Sequence, residues 1–216
     1  MRLTFSMGRW APAALLLFGL AAALITGPAA AQQGYSVLNN PQPTDSTGDA
    51  VQVREFFSYG CPHCADFEPV LSAWVAENEG RVDLVHTPIT FGRDSWAVLA
   101  RAYYAADALG ILDQTHRAMF DAIHEQGRQF QNHADVAAFY ASLADVTESE
   151  VMDALNSFAV SSSLNRAERL AGAYGVRGTP SLGVAGQYFV DVRQAGGQRG
   201  MLDVADSLVA DEAGEG

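Results

Sequence analysis

Apolar positions along this chain follow two different periods. "VQVREFF" (Val51 to Phe57) is a β-branched and aromatic run that predicts a strand. After it, from about Cys61 or Pro62, Phe67, Val70, Leu71, Trp74 and Val75 recur at helical spacing, and "NEG" ends that helix at Gly80. "RVDLVHTP" (Arg81 to Pro88) predicts a second strand, which makes residues 51–88 a right-handed, parallel βαβ unit. From Trp96 to Tyr174 no strand pattern occurs. Helices are predicted from Asp94 or Ser95 to Leu109, from Leu112 to Gln126 and from Ala134 to Leu143. A further one runs from the capping box "TESE" (Thr147 to Glu150) to Phe158, and a last one from Ser162 to Tyr174, with Gly175 as its stop. Strands return in "SLGVAGQYFV" (Ser181 to Val190), folded at Ala185-Gly186 as a hairpin, and a terminal helix covers Met201 to Val209.

The order βαβ, helical block, ββα describes an α/β unit around one mixed sheet, interrupted by helices. Residues 32–92 and 160–216 would form the sheet unit, and 93–159 the helical insertion. The first 31 residues fall outside this pattern. "MRLTFSMGRW" carries two arginines and no acid, "APAALLLFGLAAALI" is apolar, and "TGPAAAQQ" supplies small residues before polar ones. That is the layout of a secretory signal, with a cut expected between Ala31 and Gln32; the apolar run falls short of the ~20 residues that span a bilayer. The expectation is a soluble exported protein.

Hydrophobic residues make up 49% of the chain and charged residues 18%, which places it among globular proteins. Net charge is −12, and there is no lysine. Loss of Arg2 and Arg9 with the leader would take the charge to −14, since no acid leaves with them. Such a surface argues against nucleic acid and anionic membranes as partners.

Candidate chemistry concentrates in "EFFSYGCPHCADFEP", which holds both cysteines, Cys61 and Cys64. A zinc site built on this pair would need two more ligands from His86, His116, His124 or His133, whose spacings match no zinc motif. Covalent haem requires a histidine directly after the second cysteine, and residue 65 is alanine. A structural staple closing so short a loop gains little. Redox chemistry fits better. Cys61 falls where a strand gives way to a helix, and the free N–H groups of a helix start favour a thiolate there. Pro62 is tolerated in a first helical turn, and His63 can add a hydrogen bond or charge. Cys64, one turn further in, is expected to be buried and able to resolve a mixed disulfide. Pro69 should kink the helix. In "YGVRGTPS" (Tyr174 to Ser181), Thr179-Pro180 lies between a helix end and a strand and is a candidate cis-proline turn.

C-P-H-C at a strand–helix junction, the later G-T-P-S and a helical block between them resemble the DsbA family of thioredoxin-fold thiol oxidases, over about Tyr35 to Val209. The resemblance implies a thioredoxin-like fold with an inserted all-helical domain, acting in the periplasm as a thiol:disulfide oxidoreductase. Cys61 would be the nucleophile, Cys64 the resolving thiol, and Pro62 and His63 the dipeptide that sets redox poise. Gly178, Thr179 and Pro180 would pair with an extended substrate, and Glu55 would be the buried acid near the cysteines, helping proton transfer. It further implies reduced exported polypeptides as substrates, a DsbB-like membrane quinone-linked reoxidase, a monomer, and no cofactor or metal beyond the disulfide itself. Thr179 stands where valine is familiar in DsbA, which leaves an isomerase or reductase of the same fold as an alternative, beside a peptide-binding chaperone with secondary redox activity. With Leu84 on the second strand and no lysine in the chain, Glu55 is expected to lack a neighbouring cation. His86 is expected at a surface strand end, and His116, His124 and His133 on the surface of the helical block.

Overall fold

The computed structural model describes residues 1–4, 34–46 and 48–214. The apolar run of the leader and the expected cut between Ala31 and Gln32 lie outside the described residues. Among the described residues, five strands form one sheet in the order β1-β5-β4-β2-β3. They are β1 (Ser36–Val37), β2 (Val51–Phe57), β3 (Val82–Pro88), β4 (Ser181–Val184) and β5 (Tyr188–Asp191). β2 pairs in parallel with β3 over its full length, Val51 with Val82 through Phe57 with Pro88, and antiparallel with β4. Flanked on both edges, β2 is buried throughout, its polar Gln52, Arg54 and Glu55 included. β4 turns into β5 at Ala185 and Gly186, both with positive φ, the conformation of a tight hairpin whose twist matches the strands. β1 pairs with β5 and is too short to show any period.

Seven helices occur among the described residues: α1 (Pro62–Glu77), α2 (Asp94–Ala108), α3 (Leu112–His124), α4 (His133–Ala141), α5 (Glu148–Asn156), α6 (Phe158–Tyr174) and α7 (Gln198–Glu212). Thr147 caps α5, its hydroxyl accepting from the Glu150 N–H while the Glu150 carboxylate accepts from the Thr147 N–H. A second such box caps α4, where Asn132 and Asp135 exchange the same pair of bonds. Three helices depart from expectation at their ends for a visible reason. α2 is preceded by Arg93 at its cap position, leaving Asp94 in the first turn, where its charge suits the helix dipole. α6 begins four residues early because Ser157 accepts the Val160 N–H. α7 extends beyond the Met201–Val209 stretch at both ends, since that stretch supplies the buried face and its flanks need little hydrophobicity once it is docked.

Three hydrophobic clusters show how the elements stack. Val51 and Val53 of β2 meet Phe67, Leu71 and Trp74 of α1 and Met201, Ala205 and Val209 of α7. Phe56, pointing the other way from β2, meets Leu170, Ala171 and Tyr174 of α6. The Tyr174 ring lies so close over β4 that a Cβ at Gly183 would sit 2.4 Å from it, so this strand position needs glycine. The largest cluster joins α2–α5 to Phe57, Tyr59, Cys61 and Cys64. The end of β2 and the start of α1 therefore lie where the sheet and the helical block meet.

Candidate active site

β2 ends at Phe57, and after a turn through Ser58, Tyr59 and Gly60 the chain enters α1 with Cys61 at its cap position. No side chain satisfies the helix's free N–H groups there, so they point toward the sulfur. Both thiols are free. The Cys61 pKa is held down at about 5, from an ordinary 9. The largest cause is the Cys64 thiol donating to the Cys61 sulfur; burial opposes it, and hydrogen bonds with Thr179 and with the backbone N–H groups of Cys64 and His63 add to it. Cys64 is fully buried. Burial first, then its bond to Cys61 and the nearby Glu55 charge, push its thiol far above the ordinary value. The pair therefore divides into one thiolate and one thiol at neutral pH. The sequence pointed to the helix start and the His63 imidazole as the cause. In the structure Pro62 and His63 are exposed, His63 acts on the sulfur through its backbone N–H, and Cys64 contributes most.

Across from the pair, the Thr179–Pro180 peptide is cis, and the Thr179 carbonyl oxygen lies 3.5 Å from Cys61 Sγ. Gly178 is exposed, Thr179 half-buried and Pro180 buried. All three line a groove of about 1070 Å³ together with His63 and the apolar Leu38 and Phe189. Gln198, at the start of α7, donates to the His63 carbonyl at 2.7 Å and fixes the groove's rim to the active-site helix. Below the pair, on the face of β2 shared with Val53 and Phe57, Glu55 is 1% exposed.

These features recur in known proteins. Residues 52–199 match the family model of the DSBA-like thioredoxin domain. The chain belongs to the DsbA-like thioredoxin family. The thiol:disulfide interchange protein DsbA of Burkholderia cepacia is 37% identical over 198 residues, covering 90% of this chain and 92% of that protein. The Pseudomonas aeruginosa DsbA is 34% identical over 196 residues, covering 91% and 90% respectively. Crystal structures of P. aeruginosa DsbA and of the DsbA oxidoreductase from Xylella fastidiosa each superpose with a TM-score of 0.77 at 33% identity. They cover 84% and 83% of this chain and 93% and 95% of theirs. This DsbA-family chain is a thiol:disulfide oxidoreductase with a mixed α/β thioredoxin fold.

Three histidine expectations are corrected. His86 is not at an open strand end: its side chain is 19% exposed, and its Nδ1 shares a 2.8 Å hydrogen bond with Glu55 Oε2. The cation missing beside Glu55 is thus supplied by imidazole. Burial pulls the His86 pKa down, but the bond and charge of Glu55, with the Glu68 charge, outweigh it and raise it. His116 lies inward on α3, its Nδ1 sharing a 2.8 Å bond with the buried Tyr59 hydroxyl. His124, further along α3, meets the Tyr59 carbonyl at 2.7 Å. Glu68 on α1 is also buried, and although burial raises its pKa, His116, Ser72 and His86 bring it to about 2. The sequence carried one usable signal for these residues. His116 and Phe120 share a face of α3 with the buried Met119 beside it, so an inward imidazole was compatible with the pattern.

Proposed function

We propose that the Cys61–Cys64 disulfide is donated to reduced exported polypeptides in the periplasm. The observation that carries this reading is the contrast between a Cys61 thiolate with a pKa of about 5 and a buried, protonated Cys64. A substrate thiolate attacks Cys61 Sγ, the Sγ–Sγ bond breaks, and Cys64 departs and takes up a proton. A second substrate thiolate then attacks the substrate sulfur of the mixed disulfide and releases Cys61 as a thiolate. The substrate loses two electrons and gains a disulfide, and the cysteine pair gains the two electrons. Glu55, whose charge acts on Cys64, is assigned the role of helping that proton reach the Cys64 thiolate. Gly178, Thr179 and Pro180 are assigned to the extended substrate, and Pro62 and His63 to setting the potential.

Direction follows from the thiolate. At pH 7 a thiol of pKa about 5 is roughly 99% ionised, which favours the reduced protein by up to about 2.7 kcal/mol. For two electrons that is at most about 60 mV toward oxidising, less what solvent screens. Residues 32–92 with 160–216 would be the thioredoxin-like domain and 93–159 the helical insertion; the cluster of β2, α1 and α7 supports the division, while the α2–α5 cluster reaches across it to Phe57, Tyr59, the cysteines and Val160, and residue 160 falls inside α6. Reoxidation by a DsbB-like quinone-linked membrane protein, export by a leader ending at Ala31, action as a monomer and exchange without a cofactor complete the reading, on family grounds. Equilibration of the protein with glutathione tests it. The expected potential lies above thioredoxin's value of about −270 mV, by up to ~60 mV. A potential at thioredoxin's value overturns the donor assignment.

A further inference from the structure

Behind the cysteine pair, three polar side chains converge from three elements and the exchange chemistry uses none of them directly. Glu68 comes from α1, His86 from β3 and His116 from α3. One donor atom from each lies within 4.8 Å of the other two. The second polar atom of each is already held. His86 Nδ1 is bonded to Glu55 at 2.8 Å, His116 Nδ1 to the Tyr59 hydroxyl at 2.8 Å, and Glu68 Oε1 accepts from Ser72 at 2.7 Å. That leaves Nε2 of each imidazole and Oε2 of the carboxylate as the free donors.

Two of those free donors are buried and make no hydrogen bond: Glu68 Oε2 and His116 Nε2. They face each other at 3.4 Å, longer than the 2.7–2.9 Å of a charge-assisted N–H···O bond. The His86 and His116 rings are 4.5 Å apart between centroids, so two imidazolium ions here would repel. A single divalent cation resolves both features. It would draw one oxygen and two nitrogens inward, and its two charges would balance the Glu55 and Glu68 carboxylates.

We propose that Glu68, His86 and His116 form a binding site for one divalent transition metal, zinc by its donor set. Two imidazoles and one carboxylate are a known zinc ligand set that leaves a fourth position for water. The bonds from Glu55, Tyr59 and Ser72 are the outer contacts that orient metal ligands and fix their tautomers. Tetrahedral zinc at about 2.0–2.1 Å places donors roughly 3.3 Å apart, so side-chain rotations closing the present spacing by about 1.5 Å or less suffice. The three side chains are 8%, 19% and 13% exposed, which gives an ion a route from solvent. A bound metal would tie the active-site helix to β3 and α3 and fix His86 Nδ1–H on Glu55.

The test uses tag-free protein with the Cys61–Cys64 disulfide closed, so that neither thiol can serve as ligand. Cobalt(II) is titrated by its visible absorption and displaced with zinc(II), whose stoichiometry is read by calorimetry. One equivalent is expected, with the intense cobalt bands of a four-coordinate site. Glu68→Gln and His116→Gln should each weaken binding roughly tenfold or more, while His133→Ala on α4 leaves it unchanged. Absence of stoichiometric cobalt or zinc binding by the oxidised wild-type protein overturns the proposal, whether or not the variants fold. So does binding that Glu68→Gln and His116→Gln leave intact.

Discussion

The Cys61 thiolate is held by hydrogen-bond donors, and the largest share comes from its own partner, Cys64. Cys64→Ala removes that donor while the helix-start N–H groups and Thr179 stay in place. The Cys61 pKa should therefore rise by more than about one unit from about 5, as read by thiolate absorbance against pH. An unchanged midpoint would mean that the backbone donors are sufficient. The same depressed pKa fixes a pH dependence. A group whose folded pKa lies below its unfolded value stabilises fully above the unfolded pKa, and the contribution fades as pH falls through the folded one. Stability of the reduced protein relative to the oxidised one should thus be greatest near pH 9, smaller at about pH 7 and lost below about pH 5. Urea unfolding of both forms across that range would show it, and a difference that stays flat would contradict the ionised Cys61.

At the scale of elements, two capping boxes carry much of the local order in the helical block. Thr147→Ala frees the Glu150 N–H and removes the hydroxyl bond to the Glu150 carboxylate, which keeps its bond from the N–H of residue 147, and is expected to cost about 1 kcal/mol. For a chain of this size that lowers Tm by about 2–4 °C, measurable by calorimetry; a loss near zero would place the start of α5 under the control of packing alone. The Thr147 box was readable because T-x-x-E is its usual spelling. The Asn132 box was not, since aspartate at the third helical position does the glutamate's work with a shorter side chain. α6 began earlier than read because a run of serines looks like a loop until Ser157 is seen taking the Val160 N–H. The two residues of β1 hold their place through pairing with β5, a contact that sequence periodicity does not encode.

Over the whole molecule, a net charge of −12 with no lysine makes self-repulsion a sizeable opposing term. Raising salt from a few mM to about 0.15 M shortens the screening length to ~8 Å and should raise Tm. A Tm that is unmoved or lowered would mean that the mapped ion pairs, such as Arg54–Asp45 and Arg166–Asp45, outweigh the repulsion. Among the described residues no helix is long and apolar enough to cross a membrane.

Residue order alone specifies β2, the βαβ order, the helical block, the hairpin and the cysteine pair at a helix start. Each of these rests on local periodicity, turn chemistry or a motif of adjacent residues. What surrounds the cysteines was settled by the fold. Glu55, Glu68, His86 and His116 lie on four elements spread along the chain, and folding brings them together behind Cys64. Their polarity gave no inward signal, because a buried charge is acceptable only when its partner is present, and the partner is set by packing.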